Sequence, residues 1–323
     1  WEKDPRIMEI IQKRNLKKDI ASIFKVSEKE IATDLSDFEG NEEIRVFYGD
    51  LIWSEDKVPS YFSKLQVIIG NANFDKITDS FGLESLQSIK GNADFKRLTN
   101  AEALISLQSI NRHAFFNSLP RAEGLSSLHY IGEMADFSSL TSTRGLESLQ
   151  KINGHAFFQN LTSAEGLNSL QNIRGDAHFE KLPKAEGLES LQNIGGDAQF
   201  DRLTRAEGLN SLQNIGKNAY FPNLISAKGL ESLQKINRRA YFYDLPRAEG
   251  LSSLHYIGDD ALFSSLTNAE GLNSLQNIGG DADFDRLTKA EGLNSLQSVG
   301  STTNQLVQEK IEKNNQASIK HHR

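Results

Sequence analysis

Cysteine is missing altogether from the 323 residues, and disulfides, thiolate metal sites and cysteine nucleophiles go with it. No run of 18 apolar residues occurs, so no segment is expected to span a bilayer. No signal peptide is visible at the start. An excess of positive charge is lacking too: the formal charge is −7, which argues against a generic nucleic-acid surface. Phosphate loops, nucleophile elbows and metal-ligand clusters are not found, so no enzyme and no cofactor are expected. Tryptophan is scarce, with two residues, and tyrosine is limited to seven. Phenylalanine, by contrast, reaches 18, and that skew needs a cause.

The cause is a repeat. The segment AEGLNSLQNIGGDADFDRLTK (269–289) recurs in variants along most of the chain with a period of 21 and no insertion or deletion. Counting from the Leu of each "GL" pair, position 1 runs from Leu83 to Leu293 and position 4 from Leu86 to Leu296. Position 7 is Ile until Val299, position 11 is Ala from Ala72 to Ala282, and position 13 is Phe from Phe74 to Phe284. Position 16 is Ile77 once and Leu thereafter, from Leu98 to Leu287. Eleven of the 18 Phe thus stand in one column. A unit this short cannot bury its own apolar face, so neighbours must stack into one continuous core. Positions 1, 4, 7, 11, 13, 16 and 19 are expected to point inward as ladders. Positions 11 and 13, two apart, mark one face of a short strand. The AEGLxSL stretch fits a single helical or 3₁₀ turn. Glycine at positions 8, 9 and 21 supplies the chain reversals. Pro120, Pro183 and Pro246, all at position 17, are expected to stiffen the exit from the strand without costing a core ladder bond.

The unit LxSLQxIGGDAxFxxLxxAEG resembles a leucine-rich repeat, in particular the variety found in receptor L domains. It differs where those repeats usually carry an Asn that caps the turn after the strand; the nearest column here is Leu. The resemblance covers residues 44–300 and implies an α/β repeat solenoid: a right-handed superhelix with a parallel sheet on one face and short helical or 3₁₀ turns on the other. It further implies binding of proteins or other macromolecules and no catalysis. The expected division is a helical N-terminal cap at 1–40, a solenoid of about 12 turns at 41–300, and a C-terminal helix and tail at 301–323.

Near the N-terminus, Ile7, Ile10 and Ile11, then Leu16, Ile20, Ile23 and Phe24, suggest amphipathic helices, and Ser27 with Glu30 forms a capping box predicting a further helix over 28–35. The stretch from Asp19 to Ile31 also resembles a helix-turn-helix, which would make the chain a DNA-binding or sensing regulator. Against that, Lys25 stands where the motif usually has Gly, and residues 1–37 hold eight basic and eight acidic side chains, so nucleic acid is not the expected partner.

Function is expected where the repeat varies. With positions 11 and 13 inward, positions 10, 12 and 14 point outward. Position 12 reads Asn73, Asp94, Phe115, Asp136, Phe157, His178, Gln199, Tyr220, Tyr241, Leu262, Asp283, with Tyr243 at position 14 and Arg239 at position 10. Phe115, Phe157, His178, Tyr220, Arg239, Tyr241 and Tyr243 are therefore the candidate contacts for a protein partner. Two alternatives stand beside that reading. The aromatics could stack on one another to shield strand backbone, or they could belong to a carbohydrate-binding or adhesive surface. The recurrent Ser at position 3 and Gln at position 5 are assigned to structural ladders between rungs, and the Glu column at position 20 to a solvated face.

Overall fold

A computed structural model describes residues 5–321, with side chains over 12–317. The repeats coil into a parallel β-solenoid in which each turn contributes one strand to each of two sheets. Positions 6 and 7 build twelve strands of one sheet, which Ile31–Ala32 extends to 13, and positions 11 and 12 build a sheet of 12, the repeat strands pairing between successive turns. Register is one repeat per rung: Asn172 faces Asn193, Ala156 faces Ala177, and Phe157 faces His178. The second sheet is the one the residue spacing predicts. The first was not visible beforehand, because its Ile at position 7 has no constant apolar residue two positions away, as Ala at 11 has in Phe at 13. The bend between strands is made by consecutive i to i+3 hydrogen bonds, such as Leu83 N–H to Ser80 O and Leu86 N–H to Leu83 O, each 3.0 Å.

The inward columns are as expected. Leu188, Leu191, Ile194, Ala198, Phe200, Leu203 and Ala206, one full turn, are all at most 1% exposed. From Phe74 to Phe284 the position-13 rings stack in one file, with successive centroids 5.1 to 5.5 Å apart and planes within 13° of parallel. Turn-closing glycine is needed at position 21. Gly187 has φ +99°, and a Cβ there would lie 2.0 Å from the carbonyl oxygen of Ala164 on the previous rung.

Position 18 carries a third ladder of single bridges, and it is interrupted. Bridges join Asp79–Asn100, Arg121–Ser142–Ser163, Lys184–Arg205–Ser226 and Arg247–Asn268–Lys289. Each break falls beside Pro120, Pro183 or Pro246. Elsewhere the position-17 N–H donates to the previous rung, as Thr162 does to Thr141 O at 3.1 Å; proline has no N–H to give. Proline therefore does cost a bond, though one outside the two sheets. The side-chain ladders found run along position 6 (Asn214 Nδ2 to Asn193 Oδ1, 3.0 Å), position 10 and position 17 (Thr162 Oγ1 to Thr141 O, 3.0 Å), not at the predicted positions 3 and 5.

The ends differ from expectation in detail. Helix α1 spans Pro5–Phe24; the side chains of Ile7, Ile10 and Ile11 lie outside the described residues. None of its described side chains enters the main core. Its Ile20 packs on Val46 and Val67, on the outer side of the first sheet, while Phe38, Phe47, Trp53, Tyr61 and Phe62 close the core in one aromatic cluster. The capping box at Ser27 forms, Ser27 N–H donating to Glu30 Oε2 at 2.7 Å, but the predicted helix over 28–35 does not follow. A 3₁₀ turn at Glu28–Glu30 gives way to a strand at Ile31–Ala32 that pairs with Val46–Phe47. Lys25, at φ +57°, adopts the left-handed bend that Gly would, yet no recognition helix succeeds it. At the far end helix α2, Gln305–His321, buries Val307 and seats Asn314 Nδ2 on the carbonyls of Leu293 and Leu296, 2.9 and 2.8 Å away.

Two substitutions test this packing. Phe179→Ala should lower the unfolding free energy by about 3–5 kcal/mol in guanidinium titrations, and a loss below ~1 kcal/mol would contradict burial of the ring file. Gly187→Ala should cost at least ~1–3 kcal/mol from the left-handed backbone alone, with the carbonyl collision added.

Candidate binding face

The outer face of the second sheet is made by positions 10, 12 and 14, and it is held flat by what lies beneath. Each strand offers its Ala and Phe to the core, so alternation turns the residue between them to solvent. Position 10 has a further duty at the corner between sheets. Its side chain accepts the backbone N–H of the same position one rung on: Asn71 from Asn92 (2.8 Å), Asn92 from His113 (3.1 Å), Asp176 from Asp197 (2.8 Å), Asp197 from Asn218 (2.9 Å) and Asp260 from Asp281 (3.0 Å). His113 does the same for Met134 through Nδ1 at 3.3 Å, with its Nε2 2.7 Å from Glu133. Accepting at Nδ1 makes Nε2 the protonated nitrogen, which then donates to the carboxylate.

The structure brings the sequence-predicted residues together in two groups. Phe157 and His178 stack with centroids 4.7 Å apart and planes at 13°. Tyr220 and Tyr241 stack at 4.6 Å and 8°, with Tyr243 tilted against Tyr241 at 5.9 Å. Gln199 occupies the rung between the two groups. Phe115 stands apart, separated from Phe157 by the rung of Asp136, and carries the Lys96 ammonium 4.8 Å from its ring centroid. Arg239 is tied to Asp260 at 3.1 Å and Asp259 at 3.4 Å. The stacking expected as an alternative to binding is thus present: ring faces meet along the solenoid axis, and ring edges point outward.

Beside the rings lies a polar column that the aromatic pattern alone does not reveal. His178 Nδ1 donates to Glu180 Oε1 at 2.9 Å, and that bond holds the imidazole pKa above its usual value against the effect of partial burial. Burial pushes the Asp201 carboxyl up, and the neighbouring Glu180 charge adds to the rise. Among the described residues no three His, Asp or Glu side chains converge as a metal site.

A duplication inside the chain separates the two exposed sheet faces. Residues 103–145 and 229–271 are copies at an offset of 126. Their inward residues are unchanged but for Thr143/Ala269, as in Leu104/Leu230, Ile110/Ile236 and Phe116/Phe242. On the first sheet's outer columns (positions 5, 6 and 8) five of six pairs are identical, Ser109/Lys235 being the exception. On the second sheet's outer columns only Ser138/Ser264 survives; His113/Arg239, Phe115/Tyr241, Asn117/Tyr243, Met134/Asp260 and Asp136/Leu262 have all changed. Drift acting on exposure alone would have altered both faces alike.

Comparison with protein-family models and with curated proteins returns no match, so the reading rests on the residues themselves.

His178 supplies a test of the site's electrostatics. Its folded pKa lies above the ordinary 6.5, so its contribution to stability is complete below that value and disappears as pH rises through the folded pKa. The His178 ring protons should titrate by NMR with a midpoint above 6.5, and His178→Gln should flatten the fall in thermal midpoint over that interval. A midpoint at or below 6.5 would contradict the Glu180 pairing.

Proposed function

We propose that the chain is a non-enzymatic interaction module that holds a protein partner against the outer face of the second sheet. The observation that carries this reading is the divergence of that face between the duplicated blocks, while the core changed only at Thr143/Ala269 and the first sheet's face only at Ser109/Lys235. A stacked solenoid is a rigid support, and a preorganised surface loses little freedom on binding. Half-buried aromatic rings, Phe157 and the phenols Tyr220 and Tyr241, are of the kind that dominates protein interfaces. Because the rings meet face to face, they offer outward edges, which suits the mixed groups of a polypeptide better than the flat stacking a sugar ring requires.

Membership of the leucine-rich repeats, and of their receptor L-domain variety, belongs to the same proposal; the Leu columns at positions 1, 4 and 16 support it.

The triple substitution Phe157→Ser, Tyr220→Ser, Tyr241→Ser leaves every inward column intact. It should keep the far-ultraviolet circular dichroism of the parent while losing at least ~10-fold in partner capture, measured by quantitative affinity pull-down. Capture equal to the parent's would remove the second sheet's face from the mechanism.

A further inference from the structure

The charge of the molecule is concentrated on this one face. Positions 10, 12 and 14, from Asn71 to Asp285, carry eleven acidic residues and two basic ones (Lys96 and Arg239), a net −9. The whole chain totals −7, so everything else sums to +2. Basic residues at position 15, among them Lys181 and Arg202, rim the face along one side. A second copy of the chain laid face to face would set acid against acid, which disfavours self-association here.

Hydrogen bonding points the same way. Asn117 Oδ1, Gln159 Oε1 and Glu180 Oε2, all at position 14, are buried acceptors without a partner. Asn117 has its amide nitrogen committed to Asp136 Oδ2, so its free atom is the oxygen. What the column lacks is donors. The side chains that carry these atoms are only half-buried and end in soft torsions, so they can turn to meet an arriving group.

We infer that this face binds a cationic, extended segment of a partner protein, with lysine or arginine at every third residue in a polyproline-II conformation. The inference rests on the interaction-module reading and specifies its partner. The spacing sets the conformation. Asn117, Gln159 and Asp201 stand on alternate rungs, ~9.6 Å apart at ~4.8 Å per rung. A polyproline-II chain returns a side chain to the same side every three residues, at ~9.3 Å. A β-strand does so every two, at ~6.7 Å, and falls out of step. The donors of such a segment meet Asn117, Gln159 and Asp201 in turn, with Glu180 on the rung between the last two, while its aliphatic stems lie over the edges of Phe157 and Tyr220.

Calorimetry on the full chain decides the matter. The probes are peptides of about ten residues with lysine at every third position and proline or alanine between, a control with the same lysines clustered, and a second control with glutamate for lysine. The spaced lysine peptide should bind, and its affinity should fall as salt rises. The clustered one should bind at least ~10-fold more weakly, and the glutamate one not at all. The double substitution Glu180→Gln, Asp201→Asn, checked for unchanged circular dichroism, should cost at least ~10-fold. Equal binding of lysine and glutamate peptides, indifference to the double substitution, or no binding would each overturn the cationic segment; equal binding of spaced and clustered lysines would overturn its register. If the lysine peptide fails while the triple Ser substitution still abolishes partner capture, the interaction module stands and only the cationic partner falls.

Discussion

Hydrogen bonds running along the solenoid axis hold every column of side chains in step, and they can do so only because every turn has the same length. A single inserted residue would shift both sheets, the Phe file and the position-10 ladder together, since each is built from residues 21 apart. The fixed period is therefore a condition of the fold rather than a trace of its history. It also explains why variation is confined to side chains that point away from the axis.

Within that condition, two residues act through the backbone. Glycine at position 21 is required by a left-handed bend pressed against the previous rung, where a Cβ would meet a carbonyl. Where position 19 is polar the neighbouring rung adjusts: the buried Thr143 hydroxyl accepts the Gly166 N–H at 3.0 Å, and Ser80 does likewise for Ala103, the one position-21 residue between Gly82 and Gly292 that is not glycine. Proline at position 17 does the opposite, removing a donor and cutting the third ladder into blocks. The two sheets run through those cuts unbroken, so continuity rests on them and not on the third side.

The inward half of this architecture was legible in the sequence because it repeats: Leu, Ile, Ala and Phe columns announce burial by their constancy. The rest was hidden for identifiable reasons. The first sheet escaped because Ile194 and its equivalents have no constant apolar residue two positions away, as Ala198 has in Phe200. Ile31–Ala32 looked like the middle of a helix because its partner, Val46–Phe47, is set by tertiary pairing and not by local pattern. The aromatic candidates were found, but their arrangement depends on which rungs adjoin: Phe157 gains the stacked ring of His178, whereas Phe115 lies between Asp94 and Asp136. The acidity of the face was countable in principle, yet it becomes meaningful only once positions 10, 12 and 14 are known to share one surface.

That acidity exceeds what the fold asks for. At position 10 the backbone needs an acceptor, and Asn71, Asn92 and Asn218 provide one without charge. Asp176, Asp197 and Asp260 make the same bond at the same distances, from 2.8 to 3.0 Å, and add a full negative charge that the bond does not require. Cations on the same chain meet part of that charge: Lys217 and His155 each lie 3.1 Å from Asp176, and Arg239 lies 3.1 Å from Asp260. In the adjoining column Asp201 has no such relief: burial and the Glu180 charge push its carboxyl up, which is a cost to the solenoid itself. A cationic partner is the agent that would turn that cost into a gain, since it neutralises the surplus only in the bound state.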